Sequence, residues 1–248
     1  MIKQILFVLI LLCCVLPATA QDQVYELRTY ELEYFKPAAV LHNYFEQALI
    51  PALNRQGIKN VGAFEETSGA LPRKIYLLIP YENIMAFQSA GDALLNDTQY
   101  QNEAKPYLTA AQETMPYDRI SVDLIRSTSG FSELMKPADE ANLFELRIYD
   151  SHNEDALRRK VKMFNDSEFD IFAEVDMSMV FFGANIAGNK MPCLTYLLAF
   201  GDMNERDEEW AKFVNHPEWK RIVDLEEYAN AMNEITRVFL KPLSYSQM

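Results

Sequence analysis

The chain is written twice, and that limits what it can fold into more than any other feature. Val24-Tyr25-Glu26-Leu27-Arg28-Thr29-Tyr30 returns as Leu143-Phe144-Glu145-Leu146-Arg147-Ile148-Tyr149, an offset of 147 − 28 = 119. Ile75-Tyr76-Leu77-Leu78 aligns with Thr195-Tyr196-Leu197-Leu198 at 196 − 76 = 120, and Asp97-Thr98-Gln99-Tyr100 with His216-Pro217-Glu218-Trp219 at 219 − 100 = 119. A period of this length is a duplicated domain, because solenoid units repeat every 20 to 50 residues or so. The joint is expected over 127–141, where Ser, Thr, Gly130 and Pro137 separate two patterned stretches.

Each copy reads as strand, helix, strand, strand, helix, strand. In the first, residues 24–32 form a strand, and Leu41, Phe45, Ala48, Leu49, Ala52 and Leu53 make one stripe of an amphipathic helix. Pro51 predicts a kink in that helix and Gly57 a left-handed cap at its end. Residues 59–66 and 73–80 predict a hairpin. Asn83 is placed to cap a second helix, and residues 117–126 form the last strand. In the second copy Ser151 and Glu154 stand in the S-x-x-E relation of a capping box. Residues 175–183 and 192–200 predict its hairpin, Trp210, Phe213 and Val214 mark its second helix, and residues 235–240 its last strand. Pro217 suits a first helical turn, with Asn215 or His216 as its cap.

Such a βαββαβ unit lays helices on one face of a four-stranded antiparallel sheet, the ferredoxin-like arrangement, and leaves the other face bare. Two units in one chain can oppose their bare faces. The fold class expected is therefore α+β: two tandem ferredoxin-like units, residues 22–126 and 142–242, closing an intramolecular barrel of the dimeric α/β type.

The first twenty residues stand outside this scheme. Lys3, the apolar run from Ile5 to Val15 and the small-x-small triplet Ala18-Thr19-Ala20 read as a signal peptide, residues 1–20, with cleavage after Ala20 and a periplasmic or secreted product. The run is too short for a spanning helix, so no membrane span is expected after its removal. Cys13 and Cys14 admit lipidation, but Leu12 and Cys13 before them are larger than a lipobox normally has there. The 23 basic and 36 acidic residues give a net charge of −13, which becomes 22 − 36 = −14 without the leader and argues against a nucleic-acid partner. Of three cysteines only Cys193 remains, as a packed hydrophobe.

The residues also carry a resemblance. The segments Tyr25-Glu26-Leu27-Arg28-Thr29-Tyr30 and Phe144-Glu145-Leu146-Arg147-Ile148-Tyr149, the strand beginning at Ile75, and His216-Pro217-Glu218-Trp219 resemble the pattern of the NIPSNAP family over nearly all of the mature chain. The first copy departs from it, with Thr98-Gln99-Tyr100 where Pro-Glu-Trp is usual. The resemblance implies the dimeric α/β-barrel fold and no agreed chemistry. Similar barrels include cofactor-independent oxygenases and haem-handling proteins, which is an analogy of fold alone.

Strand alternation sorts Glu26, Arg28 and Tyr30 from Tyr25, Leu27 and Thr29, and Glu145, Arg147 and Tyr149 from Phe144, Leu146 and Ile148. With the apolar set facing the helices, the charged set is expected inside the barrel. It then forms either a patch binding a small, partly apolar or anionic molecule, with His152 in the turn beyond, or Glu-Arg pairs that fix register. His42 is expected as an exposed partner of Glu46. The acids Asp166, Glu168, Asp170, Glu174 and Asp176 lack the glycine and terminal glutamate of a calcium loop and read as solvated. No histidine has a second ligand at metal spacing, and phosphate loops, G-x-S-x-G and H-E-x-x-H are absent, so no metal and no cofactor are expected and no catalytic residue is assigned. Three readings remain: a small-molecule binder, a cofactor-independent oxygenase or isomerase, and a non-catalytic assembly module. A homo-oligomer is compatible with each.

Overall fold

The computed structural model describes residues 22–248, so the leader and its cleavage point lie outside the described residues. The first repeat contributes β1 (Val24–Leu32), α1 (Ala39–Asn43), α2 (Ile50–Arg55), β2 (Gly62–Glu66), β3 (Lys74–Tyr81), α3 (Ile84–Asn96), α4 (Thr98–Glu103), α5 (Lys105–Leu108) and β4 (Tyr117–Ser127). The second contributes β5 (Leu143–Asp150), α6 (Glu154–Met163), α7 (Phe169–Glu174), β6 (Ser178–Ala187), β7 (Cys193–Phe200), α8 (Met203–Asn215), α9 (Pro217–Ile222) and β8 (Glu234–Pro242). The strands close a barrel in the order β1-β3-β2-β8-β5-β7-β6-β4, every neighbour antiparallel. Each repeat supplies the ferredoxin-like order, and the seams β2–β8 and β4–β6 join the repeats without a free edge. This is two tandem ferredoxin-like units in an intramolecular dimeric-α/β-barrel fold.

Strands β1, β3, β5 and β7 are buried on both faces, which produces three cores. Tyr30, Ile75, Leu77 and Ile79 meet the first helical layer through Leu41, Phe45 and Leu49. Tyr149, Tyr196, Leu198 and Phe200 meet the second helical layer through Phe164, Phe172 and Phe213. Tyr25, Leu27, Phe64, Leu78, Phe144, Leu146, Phe181 and Leu197, drawn from both repeats, fill the lumen. All eight residues of β7 are buried for this reason, and its sequence is an apolar run interrupted only by Thr195 rather than an alternating one.

The facing expected for the β1 and β5 motifs is therefore inverted. Alternation separates the two sets correctly, but Tyr25, Leu27, Phe144 and Leu146 point into the lumen, while Glu26, Arg28, Tyr30, Glu145, Arg147 and Tyr149 lie under the helices. Periodicity identifies two faces but cannot rank them when both are buried. The helical layer offers polar partners at that level, and the lumen there offers hydrocarbon. The hairpin alignment also slips by one. Arg28 opposes Leu77 and Arg147 opposes Tyr196, so Tyr196 is the counterpart of Leu77 at an offset of 196 − 77 = 119. Tyr76 faces the lumen and Tyr196 the helices, as a one-residue slip requires.

Locally, several sequence signals are realised and two are corrected. Asn83 accepts from the backbone N–H groups of Met85 and Ala86 at 2.9 and 3.0 Å, Gly57 takes φ 85°, and His216 caps α9 ahead of Pro217. The cap of α6 is Asn153, which accepts from the Ala156 N–H at 2.8 Å, whereas the Ser151 hydroxyl donates to the Ala231 carbonyl at 3.0 Å. A π-helical turn (Tyr44–Leu49) precedes Pro51, and another (Phe164–Glu168) sits at the matching place in the second repeat, where Asp170 replaces the proline. The π turn therefore belongs to the position in the fold and not to the proline.

The two ends of the barrel differ. At the end where β1 and β5 begin, the inter-repeat segment lays Leu134 and Ala141 against the lumen core, and Met248 of the C-terminal tail packs there too. That tail is held along β2 by the Leu243 N–H to the Ala63 carbonyl and the Gln247 N–H to the Val61 carbonyl, at 2.9 and 3.0 Å. The opposite end, where β1 and β5 finish, is open.

Candidate functional site

In the second repeat the sequence candidates come together beneath α8. Glu145 is fully buried and accepts from Arg147 Nη1 at 3.0 Å, from Arg206 Nε and Nη2 at 2.9 and 3.1 Å, and from Trp210 Nε1 at 2.9 Å. The Arg147 guanidinium lies 4.1 Å over the Trp210 ring, and its Nε is buried without a partner. Tyr149 and Tyr196 share a hydroxyl hydrogen bond of 2.7 Å. Burial holds the Tyr196 phenol far above its usual range, with Tyr149 beside it adding to the effect. Next to them Lys160 Nζ meets Glu168 Oε1 at 2.5 Å, with the Phe164 ring 4.6 Å away. Burial raises the Glu168 carboxyl against the opposing pull of Lys160. Glu168, expected as a solvated acid, is thus an interior one. The first repeat has Leu41 and Leu49 where the second has Lys160 and Glu168, each at an offset of 119, and this exchange of an apolar pair for a charged one is visible by comparing the copies.

The first repeat holds a smaller version of the arrangement. Arg28 Nε and Nη2 donate to Glu26 at 2.6 and 3.1 Å, and the Tyr81 hydroxyl donates to Glu26 at 2.8 Å. Burial is the chief cause that raises the Tyr81 phenol, with Glu26 next. Tyr30 packs edge-on to Phe45 and Tyr117, at 5.1 and 5.2 Å. The two clusters lie under different helical layers, so Arg28 and Arg147 do not converge on one point. His152 is exposed in the turn between β5 and α6 and joins neither. His42 pairs with the Tyr245 hydroxyl at 2.7 Å rather than with Glu46, and His216 Nε2 lies 2.9 Å from Glu174. Burial pushes the Cys193 thiol up to about 12. Among the described residues no group of three or more His, Cys, Asp or Glu side chains is placed to hold a metal ion, and no helix is long and apolar enough to cross a membrane.

Chemically, both clusters are self-contained: each carboxylate already receives its donors from the protein. The accessible polar surface of the barrel is instead at its open end. A recess of about 220 Å³ lies there, floored by Leu27, Tyr76, Leu146 and Val238. Above the floor stand the hydroxyls of Thr29, Ser121 and Thr236, the carboxylates of Glu31 and Asp123, and the ammonium groups of Lys74 and Lys190. Both repeats contribute to its wall. Asp123 accepts from the Asn189 N–H at 3.2 Å, and burial raises its carboxyl. The β6–β7 turn can close onto Asp123 because Gly188 sits at φ 151° with no side chain, where an added Cβ would fall 1.9 Å from the carboxylate. Sequence reasoning missed this site because it assigned the odd-numbered residues of β1 to the helices. The polar switch along one face, from Tyr25 and Leu27 to Thr29 and Glu31, is the signal that marks it.

Comparison with known proteins bears on the fold and the family. Two solved structures cover the barrel end to end: a candidate monooxygenase from Lactobacillus acidophilus (TM-score 0.58, 12% identity, 90% of this chain and 94% of that one) and another from Fusobacterium nucleatum (TM-score 0.57, 10% identity, 90% and 94%). A mutant chlorite dismutase from Candidatus Nitrospira defluvii is similar over 92% of this chain and 94% of that one, at TM-score 0.51 and 6% identity. At these identities the likeness is one of fold. No curated protein matches. The NIPSNAP family model matches residues 25–116 and again 144–247, each match opening on its own copy of the E-L-R motif, and the chain therefore belongs to the NIPSNAP family.

Proposed function

We propose that this NIPSNAP-family chain is an exported protein that holds a small, partly apolar molecule in the open mouth of its barrel. The observation that carries the reading is the recess of about 220 Å³, walled by both repeats above a packed apolar plug. Ligand sites favour such concavities, apolar at the base with a few polar groups at the rim. Glu26, Arg28, Tyr30, Glu145, Arg147 and Tyr149 serve the barrel in this reading as the buried polar layer that orients strands beneath helices, and His152 is a turn residue. Export rests on the leader pattern of residues 1–20.

Mass spectrometry of the protein purified from the exported fraction tests both parts. The intact chain is expected to begin at Gln21, and a small molecule is expected to leave it on denaturation. Filling the mouth with Thr236→Phe should remove that molecule without unfolding the chain. A lipid-bearing Cys14 at the terminus would overturn the export reading, and a molecule retained by the filled variant would overturn the site.

A second reading, assembly, has its own observation: Phe35 is 91% exposed and Tyr34 70%, beside each other in the β1–α1 connection. Light scattering discriminates here, since a homo-oligomer that Phe35→Ser disperses would favour assembly.

A further inference from the structure

We propose that the barrel mouth takes a small zwitterion, a molecule with an ammonium and a carboxylate on one compact apolar frame, of which a neutral amino acid the size of leucine is the simplest form. The inference rests on the reading of the mouth as a small-molecule site and adds the chemical class of its occupant. The recess presents two carboxylates, Glu31 and Asp123, and two ammonium groups, Lys74 and Lys190. Among the described residues neither carboxylate forms an ion pair. Lys190 donates to the neutral Thr236 hydroxyl at 2.8 Å, and Lys74 reaches only Glu66, at 4.0 Å. Glu31, Asp123 and Lys190 thus line one cavity without an ion pair among the described residues, and Lys74 has only its long contact with Glu66. In the two buried clusters of the same molecule, Glu145 and Glu26 are both tied to arginines.

The placement of these groups follows from the strand register. Leu27, Thr29 and Glu31 run up β1, and Asp123 and Ser121 stand opposite Leu27 and Thr29 on β4. On the other side of β1, Lys74 of β3 stands opposite Glu31 in the strand register. From the β6–β7 turn Lys190 extends to Thr236 on β8, which places its ammonium on the wall contributed by the second repeat. Asp123 is half-buried, and its one hydrogen bond among the described residues comes from the Asn189 N–H, which leaves its second oxygen for a cation. A half-buried carboxylate with spare acceptor capacity is stabilised by an ammonium, and the two lysines of the same recess offer the same to a carboxylate. A singly charged ligand would meet one set only and forgo the charge-assisted hydrogen bonds of the other. The volume, about seven waters at ~30 Å³ each, accommodates one compact molecule and no polymer.

The test measures binding of four probes to the full mature chain by calorimetry: L-leucine, 4-methylpentanoate (the carboxylate alone), 3-methylbutylamine (the ammonium alone) and 3-methylbutanol (neither). Leucine is expected to bind roughly tenfold or more tighter than each of the others, one charge-assisted hydrogen bond being worth about that factor. Asp123→Asn, which keeps the acceptor for Asn189, and Lys190→Met should each lower leucine affinity by about tenfold, and each should narrow the gap to one of the singly charged probes. If the amine, the acid or the alcohol binds as tightly as leucine and is lost in Thr236→Phe, the zwitterion class falls while the mouth survives as a site. If no probe binds, or if binding persists unchanged in Thr236→Phe, the site falls with it. Should Thr236→Phe fail to fold, Ser121→Phe fills the same recess from the opposite repeat and is read in the same way.

Discussion

Glu26 and Glu145 occupy equivalent places in the two repeats but keep different company, and the difference sets what their arginines are worth. Glu26 has Arg28 and Tyr81, while Glu145 has Arg147, Arg206 and Trp210. Arg28→Met should leave a desolvated Glu26 with a single phenol donor, at a cost on the order of 3 kcal/mol, and adding Glu26→Gln should recover most of it. Arg147→Met leaves Glu145 with three donors and should cost roughly 1.5 to 3 kcal/mol. Adding Glu145→Gln there removes the counter-charge of Arg206 as well, so that double variant should be less stable than Arg147→Met alone. Two double-mutant cycles by chemical denaturation read this, and recovery in the second repeat with none in the first would reverse the account. A second residue-scale expectation concerns Glu209 on α8, buried with its Oε2 unpartnered. Burial first, then Glu205, push its carboxyl from 4.5 to about 7, and Lys212 opposes them. Between those values the folded chain holds a proton that the unfolded chain has released, so stability falls as pH rises through the window, and the penalty is absent below it. Glu209→Gln should therefore be more stable than the parent by on the order of 1 to 3 kcal/mol at pH 8 and equal to it near pH 4.5. A variant with the same pH slope as the parent would show that another group governs it.

At the scale of elements, the strands and helices were readable because each carries a local signal, and the errors arose where two signals competed. Ser151 and Glu154 satisfy the spacing of a capping box, yet Asn153 lies one residue before the helix and accepts the Ala156 N–H. A cap is chosen by where the chain turns, and Ser151 is turned toward the Ala231 carbonyl. Asn153→Ala should thus cost about 1 kcal/mol, whereas Glu154→Ala should be nearly neutral. Thermal unfolding of the two variants separates the caps, and a Glu154 variant as damaging as the Asn153 one would restore the box. The hairpin slip has the same origin. Tyr76 and Tyr196 match by letter at an offset of 120, but the ladder holds an offset of 119, so a tyrosine in the lumen of one repeat aligned with a tyrosine under the helices of the other. Burial of β3 and β7 on both faces removes the alternation that would have exposed the slip. The Lys160–Glu168 pair was hidden differently. Its two residues are eight apart and share a helical stripe, as Leu41 and Leu49 do in the first repeat, but an apolar stripe is read from hydrophobic residues and two charged ones drop out of it.

For the whole molecule, the duplication made the barrel legible before any single strand was placed, because two sheets each with a bare face have one economical partner. The repeat does not encode how the barrel's ends are finished. The inter-repeat segment was expected to be a simple linker, yet Leu134 and Ala141 pack against the lumen core, Gln23 accepts from the Leu134 N–H at 2.9 Å, and the Met135 N–H donates to the Val180 carbonyl at 2.9 Å. Closing one end this way leaves the other as the route to the interior, and with it the recess. The same anatomy limits what a separated repeat can do. A fragment of residues 22–130 would expose Tyr25, Leu27, Phe64 and Leu78 on one face, with β2 and β4 as unpaired edges, and a fragment of 131–248 would expose Phe144, Leu146, Phe181 and Leu197 beside β6 and β8. Apolar faces of that size and open edges drive association. Each fragment alone is therefore expected to be a dimer or an aggregate by light scattering, and the two expressed together should form a one-to-one complex that unfolds as a single cooperative unit. In that complex the recess should also return, because Thr29 and Ser121 come from one fragment and Ile148 and Thr236 from the other. A monodisperse, cooperatively folding monomer of either fragment would mean that a repeat can cover its own sheet, and the lumen would then cease to be what holds the halves together.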